Sequence, residues 1–382
     1  MNESALWLAF ILGLALTIYT TSSVIRSLVV PRGLTSFVAG KVSLINRKVF
    51  LFISNRFDTY ETKDNIIALQ GPVFLILLLT TWLSLFLLGY TLMLMRISNE
   101  GFEEALLEAG SSMFTLGFET SRSTGAGIIA FIAAATGLIV VALLIAYLPT
   151  LYAAFNRRET LVTMLQSRAG APAWGPEILA RHQQVGLMGE LPGLYTEWER
   201  WAADVAESHT NYPVLIFFRS PHPLRSWIIA LLAVMDAAAL QLSLSPNSAP
   251  TEARLCLRMG FSCLRYIADL LRIPYDPDPL PTDPITLTFD EFEAAMERLQ
   301  KVNFPMELSV AEAWPHFSGW RVNYESLAYA LADLTVAPPG PWSGPRDHLP
   351  NMAIVPQRPA NRDPGNPTAN GRPKAERFGW HV

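Results

Sequence analysis

Three stretches of this chain carry no charged side chain: residues 4–25, 65–95 and 123–156 contain no Asp, Glu, Lys or Arg. Each is longer than the roughly 20 apolar residues that a helix needs to cross a bilayer. Charged residues make up 16% of the 382-residue chain, against about 25% in ordinary soluble domains. A wholly soluble protein is excluded. The net charge of −4 and a pI near 5.9 also argue against a nucleic-acid partner, which selects for a basic surface.

The first run reads as a retained membrane helix rather than a signal peptide. Residues 1–4 hold no positive charge and include Glu3. The apolar stretch exceeds the usual h-region, and no A-x-A-like cleavage site follows it. Residues 31–65, read as a loop, hold six basic side chains (Arg32, Lys41, Arg47, Lys48, Arg56 and Lys63), whereas 96–122 hold only Arg96 and Arg122. The positive-inside rule then puts 31–65 in the cytoplasm and 96–122 outside. The N-terminus is external on this reading, and everything beyond Arg157 and Arg158 is cytoplasmic.

From Glu159 onward the pattern is that of a soluble helical domain. Helical periodicity runs through 194–208, 250–272, 288–302 and 323–334. The third of these opens with Thr288 and Glu291 in capping-box spacing. Residues 227–245 are apolar enough to imitate a fourth span, but Asp236 stands at their centre. A central Asp costs about 2.5–3.5 kcal/mol in an inserted helix, so a buried core helix is expected. Cys256 and Cys263, seven residues apart on one helical face, are separated by about 10 Å. That exceeds the reach of a disulfide, and two small buried thiols are expected. The tail beyond residue 350, rich in Pro, Asn, Gly and Arg, cannot bury a core and is predicted to be disordered.

The informative element lies between the second and third apolar runs. Residues 103–112 (EEALLEAGSS) predict a helix too short to cross a bilayer, followed by MFTLGFET. Non-helical backbone at membrane depth is tolerated only where protein or a water-filled cavity surrounds it, so the arrangement is that of a re-entrant pore loop. Ion filters direct main-chain carbonyls at an axis. Consecutive carbonyls face one way only if backbone handedness alternates, and Gly117 supplies positive φ without steric cost. Thr115 adds a hydroxyl at the inner end. Leu116 and Phe118 are expected to point back into the short helix and wedge the loop, with Glu119 at the mouth, where a ring of carboxylates favours cations.

Thr115-Leu116-Gly117-Phe118 resembles the T-V-G-Y/F signature of the tetrameric potassium-channel superfamily, in its form with two core spans and one pore loop per chain. The resemblance covers residues 66–157. It implies that Thr115, Leu116, Gly117, Phe118 and Glu119 form the ion-binding filter, that potassium is the permeant ion with no further cofactor, and that four subunits surround one pore. Glu119 stands where that signature has its second glycine. Either the loop bears a strained backbone at this residue or its outermost site is altered. Two further blocks, RSWIIALLAVMDAAAL and GWRVNYE, are similar to bacterial membrane proteins loosely labelled as two-pore-domain potassium channels, although one pore loop is present here. Gly137 lies near the superfamily's inner-helix hinge, and serves either bending or close packing. Pro149, near the cytoplasmic end, either kinks the helix at a gate or terminates it.

The expected organisation is an all-α membrane protein of the bacterial plasma membrane, with three transmembrane helices, a re-entrant pore helix and a helical cytosolic domain. Residues 1–30 form the first transmembrane helix and 31–65 a cytoplasmic basic linker. Residues 66–157 form the pore domain, 158–350 the cytosolic domain and 351–382 the disordered tail. Lone Arg26 at the end of the first span does not make a voltage sensor. No GxGxxG follows a strand, and no convergent acid, base or nucleophile set points to an enzyme; Asp236 alone provides none. An unknown cytosolic ligand acting on the helical domain is the expected gating stimulus. The competing reading is a non-conducting membrane receptor or scaffold whose helical domain binds a partner.

Overall fold

The computed structural model describes residues 3–30, 36–119, 121 and 123–345; the tail 351–382, Arg32 and Arg122 lie outside them. The described chain is all-helical. An N-terminal bundle contains α1 (Glu3–Leu28), α2 (Phe37–Ser54), α3 (Tyr60–Ala68), α4 (Gln70–Ile97), the short α5 (Phe102–Met113) and the first half of α6 (Thr124–Ala169). A second group of helices follows: α7 (Gly175–Gln184), α8 (Leu191–Asn211), α9 (Trp227–Leu244), α10 (Thr251–Leu271), α11 (Phe289–Gln300), α12 (Val310–Arg321) and α13 (Glu325–Leu334). By length and composition, four helical stretches could cross a membrane: α1, α3 with α4, α6 and α9.

Helices α1 and α4 pack at backbone distance because both present glycine. A Cβ on Gly13 would lie 2.4 Å from the Gly89 carbonyl oxygen, and one on Gly89 would lie 2.5 Å from Thr17 Oγ1. Small residues of this kind let apolar helices associate where no water is available to drive them together. Lower in the same seam the Trp82 indole donates to Ser23 Oγ at 2.9 Å. Ser23 in turn donates to Ser36, which caps α2 by accepting from the Ala39 N–H.

Two expectations about chain organisation need correction. The expected loop over 31–65 is helical where it is described: residues 36–65 hold all of α2 and the start of α3, so the expected boundary at 65 falls inside a helix. Ser36 caps α2, and Val38, Asn46 and Ser54 are its buried residues. The expected boundary at 157 also falls inside a helix, since α6 runs unbroken from Thr124 to Ala169. Pro149 does not end it. The proline ring stands on an exposed flank, and helical residues continue on both sides.

The second group packs around α9, every residue of which is buried. Asp236, at its centre, is held by Arg321 of α12 and by the Tyr324 hydroxyl at 2.8 Å. Arg321 is itself fully buried and donates to Glu325 (2.8 Å), the Tyr329 hydroxyl (2.9 Å) and the Trp342 carbonyl (2.8 Å). Burial pushes the Asp236 carboxyl up to about 6, against the pull of Arg321. Gly175 allows α7 to reach this point, since a Cβ there would lie 2.6 Å from Asp236 Cβ. Cys256 and Cys263 are free and buried, and burial pushes both thiols up, which leaves them inert. The capping box at Thr288 and Glu291 is present, and a second opens α12 at Ser309 and Glu312.

Candidate functional site

Helix α5 packs against α4 and α6, burying Ala105, Ala109 and Met113. Its last turn seats on Gly137 of α6. A Cβ there would lie 2.2 Å from the Met113 carbonyl oxygen and 2.9 Å from its Cγ. Of the two roles open to Gly137, close packing is the one this geometry carries.

Beyond Met113 the chain reverses over Ser111. The Thr115 N–H donates to the Ser112 carbonyl at 3.0 Å, and the Leu116 N–H donates to the Ser111 carbonyl at 2.8 Å. The Gly117 N–H reaches that same carbonyl at 3.5 Å, and the Glu119 N–H donates to Ser111 Oγ at 3.1 Å. The carbonyls of Phe114, Thr115, Leu116, Gly117, Phe118 and Glu119 accept no hydrogen bond among the described residues. Residues 114–119 are all exposed, so these carbonyls are open to solvent, to an ion or to a further chain.

Backbone handedness alternates along the loop: φ is positive at Thr115 (55°) and Gly117 (72°), and not at Leu116 or Phe118. At Gly117 this is free. A β-branched residue in the left-handed region is an outlier that costs of order 1–3 kcal/mol, so Thr115 is where the loop stores strain. Glu119 does not have positive φ. Of the two alternatives for this residue, a strained backbone is not observed.

The wedge expected of Leu116 and Phe118 is not formed within one chain. Their side chains are 63% and 57% exposed, as is Phe114 at 47%. The space behind the loop is already filled by Met113, pressed against Gly137, and the loop side chains are turned outward.

Three residues of this region escaped the sequence reading. Glu108 is buried in α5 and accepts from Ser98 Oγ at 3.0 Å and from Ser121 Oγ at 2.5 Å. It thereby ties the end of α4 and the far side of the loop to the short helix. Ser111 holds the loop through both its carbonyl and its hydroxyl. Arg158, below the bundle, is fully buried. It donates to Glu159 (2.8 Å), His209 Nε2 (3.0 Å), the Leu215 carbonyl (2.8 Å) and the Phe218 carbonyl (2.6 Å). Arg158 thus fastens α6 to α8 and to the short 3₁₀ turn Pro213–Phe217. Its sequence neighbours Asn156, Arg157, Glu159 and Thr160 are themselves polar, so nothing local set Arg158 apart as a buried residue. Guanidinium can only donate, so His209 Nε2 accepts and the ring is neutral. Burial, followed by the Arg158 charge, holds this imidazole well below its ordinary value.

Among the described residues no group of three or more His, Cys, Asp or Glu could hold a metal ion. Comparison with protein-family models, with curated proteins and with solved structures yields no match.

Proposed function

We propose that four copies of this chain surround a cation-conducting pore of the plasma membrane, with the helical domain on the cytoplasmic side and potassium as the principal ion. Thr115, Leu116, Gly117, Phe118 and Glu119 line it. The observation that carries this reading is the loop's hydrogen bonding: the Leu116, Gly117 and Glu119 N–H groups turn back on Ser111, while the carbonyls of residues 114–119 accept no bond among the described residues. Such oxygens can replace the hydration shell of a permeating cation. One strand per chain cannot encircle an ion, hence the assembly of four. The exposed Phe114, Leu116 and Phe118 would then pack against neighbouring copies. The mechanism is dehydration, coordination at several sites and knock-on transfer between them, without bond chemistry. Because α6 passes unbroken from the loop region to Arg158, a ligand that favours one arrangement of the helical domain would act on the pore through that helix.

The test is ion flux through the purified protein in liposomes, with the reversal potential measured under asymmetric potassium and sodium. Wild-type flux that is lost in Gly117→Ala is expected, since alanine disfavours φ near +72°. No flux from wild type, or flux unchanged by Gly117→Ala, would overturn the proposal in favour of a non-conducting receptor.

A further inference from the structure

A cavity of about 210 Å³ lies where the bundle meets the helical domain. Its walls are mostly apolar: Leu28 of α1, Phe74, Leu75 and Leu78 of α4, Tyr147 of α6, and Phe217 of the 3₁₀ turn. An apolar cavity of about 150 Å³ stays dry and takes up benzene. This one accordingly suits a hydrocarbon chain rather than water.

Two polar side chains in the wall are already engaged. Asn46 donates to the Gln70 carbonyl at 2.9 Å, and Ser27 donates to Ser36. Arg26 differs. It lines the cavity, is exposed, and has no hydrogen-bond or ion-pair partner among the described residues. The adjoining α2 continues the same character. Residues 36–57 include Lys41, Arg47, Lys48 and Arg56 and no acid. Phe37, Leu44, Ile45, Val49, Phe52 and Ile53 are exposed on the same helix as Lys41 and Lys48. Apolar and basic side chains interleaved on one exposed surface match the headgroup level of a bilayer. The end of α1 and the start of α4 both line the cavity, together with α2 residues Ala39, Gly40, Ser43 and Asn46.

We infer that this cavity is a binding site for an anionic phospholipid, with an acyl chain against Phe74, Leu78 and Tyr147 and the headgroup phosphate on Arg26. The inference rests on the apolar helices crossing a membrane, and does not depend on ion conduction. A soluble nucleotide or sugar would leave the apolar walls unused and would find a single cation for recognition. The bound lipid would touch the turn whose Leu215 carbonyl accepts from Arg158, and so would bear on the junction between α6 and the helical domain.

Native mass spectrometry of the purified full-length protein, with added phosphatidylglycerol or phosphatidylcholine, tests this. Wild type should retain phosphatidylglycerol in preference by about fivefold, the gain that one basic side chain makes at an anionic surface. Arg26→Gln should reduce that preference to parity, and Lys301→Gln, exposed just beyond α11 and outside the cavity lining, should leave it unchanged. A Cβ on Gly40 meets no atom within 4 Å, so Gly40→Phe should fill the cavity and abolish retention of both lipids. Ser43→Phe fills it from a neighbouring position should Gly40→Phe not fold. Equal retention of the two lipids by wild type would overturn the proposal, as would equal losses in Arg26→Gln and Lys301→Gln or undiminished binding after the cavity is filled. Thermal protection by glycerol 3-phosphate as large as that by the lipid would assign the site to a free phosphate compound instead, and overturn it equally.

Discussion

Every residue of α9 is buried by the rest of the chain, whereas 28% of the most apolar stretch of α6 is buried. Length and mean hydropathy alone would send both helices into a bilayer. The difference lies in what each helix asks of its surroundings. α9 carries Asp236, and the protein answers with Arg321 and Tyr324 in a fully enclosed site. The apolar half of α6 carries no charge and leaves Ile128, Phe131, Leu138 and Ile145 exposed. A contiguous apolar surface of that kind is foreign to a monomer in water, and marks a face that meets lipid or further copies of the chain. A charge inside an apolar helix therefore separates a helix the protein buries from one it hands to the membrane.

The largest expected effect tests the α9 side. Arg321→Met leaves the buried Asp236 without its cation, with only the Tyr324 hydroxyl beside it, and should cost about 3–5 kcal/mol of unfolding free energy, read by denaturant titration of the purified protein. Adding Asp236→Leu should recover most of that loss. If the double variant stays as unstable as the single one, the ion pair is not what settles α9. Next comes the contact on α6: Gly137→Ala forces a methyl onto the Met113 carbonyl, an overpacking that should cost about 1–3 kcal/mol and diminish flux. Wild-type flux with wild-type stability would show that the seam yields, and would reopen the hinge role.

A smaller effect concerns the junction where the two regions meet. His209 is held neutral in the folded protein against Arg158, with Ser208 Oγ 3.1 Å from Nδ1 and the Trp227 ring alongside. Its folded-state affinity for protons is depressed, so its contribution to stability is present above the ordinary imidazole value of 6.5 and is lost as pH falls below it. His209→Gln should remove that part of the acid loss in a comparison of melting curves at pH 7.5 and pH 5.5. Parallel curves for the two proteins would show that the ring titrates freely. The smallest effect belongs to the exposed loop. Glu119→Gln should lower cation conductance, more at low salt than at high, because exposed charge is screened within about 10 Å at 0.1 M. A change independent of salt would remove the carboxylate ring from the proposed mechanism.

Periodicity and charge located the long helices, the short helix before the loop and the capping box at Thr288, because each is written in residues close together. The alternating handedness was likewise legible in part, since Gly117 announces its φ; Thr115 does not. What escaped was non-local or divided between two roles. α2 was read as a loop because its basic side chains drew attention from its Ser36 cap and its apolar positions. The grip of Ser111 on the loop depends on a chain reversal, and that of Glu108 depends on Ser98 and Ser121 arriving from opposite sides. The blocks RSWIIALLAVMDAAAL and GWRVNYE gave no hint that Asp236 in one meets Arg321 and Tyr324 in the other.

From residues alone it follows that uncharged runs exceeding a bilayer's thickness cannot be left to water, and that a short helix ahead of Thr115-Leu116-Gly117-Phe118 stands between two of them. Asp236 already marks α9 for the interior; only the folded arrangement decides that Arg321 and Tyr324 hold it, that α6 continues past Pro149 to Arg158, and that the loop's oxygens find no partner among the described residues. The reason is physical. Transfer of an apolar segment out of water is set by its own composition, whereas pairing a buried charge or a backbone amide depends on groups that distant parts of the chain bring to it.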